Sequence, residues 1–489
     1  MSKKSTTKNE IMNARRKAER REKQRRDRRL AALKKAAIVL GIIVAAVLAV
    51  LLVANLVIDS GILLRSYVLK SENFTFTRAM MSYCIYYQYE SFLSYYGDYV
   101  QQYTGLDPTG SLKTQYKDSK EGITWFRYFA DTALDSASDS MYLCEAAHSA
   151  GYDLSDSRKQ SLRRLAEKAD TSLYGRGVTA DDIYDALYIQ CLATEYDAYL
   201  YDTLGPDGDQ IRDYYKKYPT ACQSVDYYSY SIKYTDDTAD ECKKAADLIA
   251  DAADPESFKC AIMEYYTDKE YTEIDEDDKV AAEVLGSIEK TCVSYDDADL
   301  QSWMFTKADL YDTYVYDNTS ERRYTVYMLT AEPYLDEQKT VDVRHILILS
   351  SDYDTDEACR AEAERILRLF LDGDASEEAF ACLAAEYSRD PGSAFLGGLY
   401  RRVARGDMTE AFDDWCFDSA RTAGETDVIK TDYGYHVMYY VGDNIENWET
   451  DYFTDVADEA MNDLYIDYSS KYDISENSSR VYSVPERKR

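Results

Sequence analysis

Two of the three histidines in this 489-residue chain lie 91 residues apart, in segments that look alike. His345 sits in VDVRHILILS and His436 in KTDYGYHVMYYV. Between them come a turn-rich stretch, SRDPGSAFLGGL, and a methionine, Met408, four residues ahead of Phe412. Side chains of this kind admit three chemistries. The histidines can pair as a hydrogen-bonded buried couple, bind a metal together with an acid such as Asp390, or form the polar wall of a site whose apolar wall is Met408 and Phe412. A zinc site fits poorly with so little histidine and no CxxC among ten cysteines.

The elements that must position these residues follow from periodicity. Val341, Val343, His345, Leu347 and Leu349 share one face of a strand, and His436, Met438 and Tyr440 share one face of another. Helical stripes lie between: Ala363, Ile366, Leu367 and Phe370, then Phe380, Leu383, Ala384 and Tyr387, then Phe412, Trp415 and Cys416. The order strand, long helix, short helix, turn, helix, strand predicts a small α+β domain over 338–443, with the histidines on neighbouring strands.

The chain compared with itself repeats this unit at 220–333. VDYYSYSIKY at 225 resembles VDVRHILILS at 341, and RRYTVYML resembles GYHVMYYV. That alignment puts Ser229 at the place of His345 and Tyr324 at that of His436, with no counterpart for the GG turn or for the pair Met408 and Phe412. Cys242 and Cys260 align with Cys359 and Cys382, either as one disulfide per copy or as small apolar filler.

Residues 1–35 hold fifteen Lys or Arg and four Asp or Glu, whereas the whole chain carries a net charge of −33. Residues 36–58 lie between the two charge regimes and contain no charged side chain, long enough as a helix to span a bilayer. A cleaved signal peptide has a shorter apolar core. The expectation is a single-pass anchor in the cell membrane, with the basic tail cytosolic and the main domains outside. An acidic exterior excludes nucleic acid as a bulk-surface partner and favours basic clients. Forty-eight tyrosines against thirteen phenylalanines fit adaptable peptide-binding surfaces, or equally the compositional habit of a lineage. Helical periodicity over 70–205 predicts a helical module with His148 as a structural residue. At the other end, 444–489 reads as a helix near 448–468 and a poorly ordered polar tail.

The segment 341–441 resembles the parvulin peptidyl-prolyl isomerases. The likeness rests on VRHILI, EAFACLAAEYSRDPGSAFLGGL, RGDMTEAFDDWCF and KTDYGYHVM. The exported chain as a whole looks like the PrsA and SurA type of extracytoplasmic foldase, with 70–205 as its chaperone-like module and 220–333 as a degenerate copy. The resemblance implies catalytic roles for His345, Asp390 and His436, a proline pocket lined by Leu399, Met408 and Phe412, and a hydrogen bond from Thr431 into the histidine pair. It implies no cofactor and no metal, and unfolded or extended proline-containing polypeptides as partners, besides the bilayer at 36–58. Two departures stand out. The family's GGDLG is GGLY here, with Tyr400 in place of a glycine and one extra residue before RGDM, and LSSDYDTDEACR lacks the basic cluster of phosphate-selecting members. A non-catalytic holdase built on the same fold is the alternative function.

Overall fold

The structure, a computed structural model, describes residues 64–484 apart from 176, 271–278 and 295–298. The basic tail and the apolar segment 36–58 lie outside the described residues, and among the described residues no helix is long and apolar enough to cross a membrane. The chain divides into two compact units, Met1–Ser138 with Lys168–Ala186 and Ile474–Arg489, and Asp139–Glu167 with Leu187–Asp473. The helical region consists of α1 (Arg78–Tyr96), α2 (Trp125–Ala150), α3 (Asp156–Lys168), α4 (Ala180–Leu204) and the shorter α5 (Gly208–Lys217), and it contributes to both units. His148 is exposed at the end of α2.

In the first unit, Tyr67–Lys70 pairs with Thr75–Thr77 on one side and with Ser475–Glu476 on the other. This corrects the expectation of a poorly ordered tail. Val481 and Val484 are fully buried, and the Val484 carbonyl accepts from Lys113 Nζ at 2.7 Å. Two well-spaced valines are a weak signal in a polar segment, yet they give it enough apolar area to dock.

The second unit contains two four-stranded antiparallel sheets. The first runs β1 (Ser224–Lys233), α6 (Ala239–Ala250), α7 (Pro255–Glu270), α8 (Lys279–Ile288), β2 (Glu289–Ser294), α9 (Asp299–Thr306), β3 (Thr313–Asn318) and β4 (Arg323–Leu329). The second runs β5 (Lys339–Leu349), α10 (Asp356–Leu371), α11 (Glu377–Tyr387), β6 (Leu399–Val403), α12 (Glu410–Cys416), β7 (Thr426–Thr431) and β8 (Gly434–Glu446), and α13 (Thr450–Lys471) follows. Strand order is β2-β1-β4-β3 in one and β6-β5-β8-β7 in the other, so the repeated sequence folds with a repeated topology.

The pleat sorts the second sheet into two faces. Ile346, Ile348, Val437 and Tyr439 pack against Ala363, Ile366 and Phe370 of α10 and Phe380 and Ala384 of α11. Val341, Val343, Met438 and Tyr440 pack on the opposite face against Phe412, Trp415 and Cys416 of α12. Both predicted stripes on α10 and α11 are therefore core. The helices begin where capping chemistry dictates: Thr355 Oγ1 accepts from Ala358 N, Ser376 Oγ accepts from Ala379 N, and each first turn is acidic.

Sequence reading found only the two central strands of this sheet. β6 and β7 are its edges, where one neighbour is missing and alternation is weaker, and β6 hides behind the Gly-rich turn. The register also corrects the repeat alignment. Ser229 does take the place of His345, but His436 faces Leu347 and the matching pair is Thr325 facing Ser231. Thr325, not Tyr324, holds the position of His436. Tyr324 lies on the other face, in the core with α6, because a slip of one residue reverses the face.

Among the described residues, nine cysteines, including Cys242, Cys260, Cys359 and Cys382, have thiols outside any disulfide. Of these nine, Cys260 is exposed and the others are buried. Burial pushes the thiols of Cys84 and Cys416 up to about 12, which suppresses the reactive thiolate. Iodoacetamide followed by peptide mapping is expected to modify Cys260 well before Cys84, Cys359 or Cys416. Equal labelling rates at the four would contradict this packing.

Candidate active site

His345 projects from β5 and His436 from the adjacent β8, offset by two residues so that His345 faces Met438. Their Nδ1 atoms are 3.0 Å apart and their rings nearly parallel at 16°. Both are buried, at 4% and 6% exposure. Thr431, at the end of β7, places Oγ1 2.8 Å from His436 Nε2. At the other end His345 Nε2 is 3.0 Å from Asp390 Oδ2 and 3.1 Å from Ser393 Oγ.

Asp390 Oδ2 also accepts from the Ser393 and Tyr400 hydroxyls, the latter at 2.9 Å. Burial alone would raise this carboxyl, but the donors His345, Ser393 and Tyr400 outweigh it and hold it well below the ordinary carboxylate range. An ionised carboxylate only accepts, so His345 carries its proton on Nε2. With one proton on each ring, His436 donates from Nδ1 to His345 Nδ1, and the Thr431 hydroxyl donates to His436 Nε2. Burial, reinforced by the neighbouring His345, pushes His436 down to about 3. Burial and then the charge of Asp390 push the Tyr400 phenol up to about 12, so it remains a donor.

The apolar wall is Phe412, which meets both imidazoles edge-on at 5.6 and 5.8 Å between centroids. Half-buried Met408 packs in the same cluster, and Leu399 is buried at the start of β6. Ser393 and Tyr400 were not assigned roles from sequence. The signal for Ser393 was its place three residues after Asp390 in the turn. Tyr400 was recognised only as a departure at the rim, whereas its ring lies 5.3 Å from His345 and its hydroxyl belongs to the polar network. Among the described residues no group of three or more His, Cys, Asp or Glu side chains is placed to hold a metal ion.

The GG turn makes this network possible. Gly398 has φ 76°, and its carbonyl accepts from the His345 backbone amide at 2.8 Å. A Cβ there would lie 2.2 Å from the His345 carbonyl oxygen.

Residues 327–442 match the family described as the PPIC-type PPIASE domain. This segment is a parvulin-type peptidyl-prolyl isomerase domain. The parvulin domain's similarity extends to Foldase protein PrsA 1 of Listeria innocua, 32% identical over 124 residues, which is 25% of this chain and 36% of that protein. Chaperone SurA of Pseudomonas syringae pv. tomato is 38% identical over 103 residues, 21% of this chain and 23% of its own. The chain thus spans about a third or less of the length of these relatives. Among solved structures, the peptidylprolyl isomerase PrsA of Bacillus anthracis aligns over 57% of this chain and 96% of its own, at 15% identity and a TM-score of 0.19.

Proposed function

We propose that the protein is a membrane-anchored extracytoplasmic foldase that isomerises prolyl bonds in exported polypeptides. The observation that carries this reading is the buried histidine pair, tied to Asp390 at one end and faced by Phe412. Rotation about an X-Pro bond meets a barrier of roughly 18–20 kcal/mol because amide resonance is lost. Lowering it requires neither nucleophile nor metal. In this reading Leu399, Met408 and Phe412 grip the proline ring, and His345, Asp390 and His436 present fixed dipoles to the twisted amide, which they bind better than the planar one. Thr431, Ser393 and Tyr400 keep those dipoles oriented.

The helical region serves to hold unfolded chains. The sheet of β1 to β4 is a degenerate parvulin copy, with Ser231 and Thr325 bonded at 2.9 Å in the region that the histidines occupy in the other sheet. Residues 36–58 form the anchor, with the basic tail on the cytosolic side; protease added outside intact cells is expected to digest everything after the anchor and leave the tail.

Proline-peptide isomerisation by the whole chain is the deciding measurement. Met408→Ala removes about 2 kcal/mol of apolar contact and is expected to lower kcat/KM by roughly tenfold or more; His436→Ala is expected to act in the same direction. A wild-type chain that accelerates nothing would refute the enzyme. Suppression of client aggregation that survives both substitutions while isomerisation was never present is the signature of the holdase.

A further inference from the structure

The segment 390–402, which carries Asp390, Ser393 and Tyr400, has little regular structure of its own. It contains a single 3-10 turn, Ala394–Leu396, two glycines at positive φ, and a bulge in β6 where Arg402 adopts φ 51°. Within the sheet, Arg344 Nη1 holds the carbonyls of Leu396 and Gly397 at 2.7 and 3.0 Å. The same strand adds the His345 amide, which donates to the Gly398 carbonyl, and Asp342 Oδ1, which accepts from the Arg402 amide at 2.9 Å. Helices outside the parvulin domain supply further contacts.

Arg158 of α3 is 2% exposed and, within the second unit, links α4 to the turn after Asp390. Its Nε donates to Glu195 of α4 at 2.6 Å, and its Nη2 donates to the Phe395 carbonyl at 2.5 Å, inside the 3-10 turn. A buried guanidinium is tolerated only where its donors are satisfied, so these acceptors fix its position. Seven residues after Glu195, Asp202 of α4 pairs with both Arg401 and Arg402, the latter at 2.9 Å. Arg402 lies besides over the Phe453 ring of α13 at 4.3 Å. One contact grips the turn two residues after Ser393, and the other grips the strand directly after Tyr400.

We propose that α3 and α4 form a brace for the isomerase site, with Arg158 and Asp202 as positioning residues that keep segment 390–402 in the conformation in which Asp390, Ser393 and Tyr400 engage His345. This rests on the isomerase reading above. Neither residue touches the reacting bond. Their effect reaches it through the hydrogen bonds between Ala394 N and the Asp390 carbonyl, at 3.1 Å, and between Gly398 N and the Ser393 carbonyl, at 2.8 Å. Contacts that merely hold α3 and α4 against the parvulin domain would be interchangeable with their neighbours. Arg164 of α3, 49% exposed and paired with Glu386 of α11, is such a neighbour and does not touch 390–402.

Three histidines in the chain make the imidazole spectrum simple. With 15N-histidine in the whole protein, the His345 Nε2 proton bonded to Asp390 is expected as a downfield, slowly exchanging signal. Arg158→Met and Asp202→Asn are each expected to broaden or abolish it and to lower kcat on the order of 10- to 100-fold, with KM changing less. Arg164→Met is expected to leave both readouts as in the wild type. Folded Arg158→Met and Asp202→Asn proteins with a wild-type His345 signal and kcat would overturn the brace. Should Arg158→Met fail to fold, Arg158→Lys decides the matter, since its ammonium retains the charge opposite Glu195 without the fork that reaches Phe395. A chain that isomerises nothing would refute the enzyme reading separately, and the imidazole signal would still test the brace.

Discussion

Gly398→Ala is expected to destabilise the parvulin domain by about 2 to 5 kcal/mol. Two costs add. Alanine at φ 76° is strained because its Cβ crowds the following carbonyl in the left-handed region, and that Cβ would lie 2.2 Å from the His345 carbonyl oxygen. Neither neighbour can move away, because that carbonyl belongs to the central strand β5 and Gly398 is bonded to the His345 amide. Gly406→Ala provides the calibration: φ is positive there too, at 98°, but nothing lies within 4 Å of the added atom, so only the conformational cost of about 1–2 kcal/mol applies. Urea unfolding of both variants checks the difference. Equal losses would show that the close approach at the GG turn is not rigid.

Acid is expected to weaken the domain well above the usual carboxylate range. His436 ordinarily titrates at 6.5 but is held down to about 3 in the fold. Between those values the unfolded chain binds a proton that the folded chain refuses, so stability is fully present above 6.5 and declines as pH falls, by about 1.4 kcal/mol per unit. Asp390 acts in the same direction lower down: its carboxyl is depressed in the fold, and the stabilisation it gives above its ordinary value is lost as pH falls through and below that value. From pH 7.5 to 5 the wild type is expected to lose roughly 2 kcal/mol, and His436→Gln is expected to flatten that decline. An unchanged slope in the glutamine variant would mean that another group governs acid sensitivity.

The central architecture was legible because burial writes itself into spacing. β5 and β8 are buried on both faces, and α10 and α11 each turn one stripe to the sheet, so alternation and helical periodicity were clear. His345, Asp390, His436, Met408, Phe412 and Thr431 came from a resemblance, and the fold brings the polar four into one hydrogen-bonded row with Phe412 against the rings. What stayed hidden was what spacing does not encode. Edge strands β6 and β7 have one neighbour each. The one-residue offset that substitutes Thr325 for Tyr324 in the first sheet is invisible to an alignment that conserves general character but not face. Tyr400 read as a damaged glycine because its partner, Asp390, lies ten residues back across a turn whose path only the fold reveals.

The row from Thr431 to Asp390 has a direction. Its last member accepts and cannot donate, and with one proton per ring each earlier bond must point the same way. Reversal demands an additional proton. In the proposed reading, a bound prolyl peptide meets a standing field of fixed sign rather than a reservoir of exchangeable protons, and Tyr400 is one of the groups that keeps that field from relaxing.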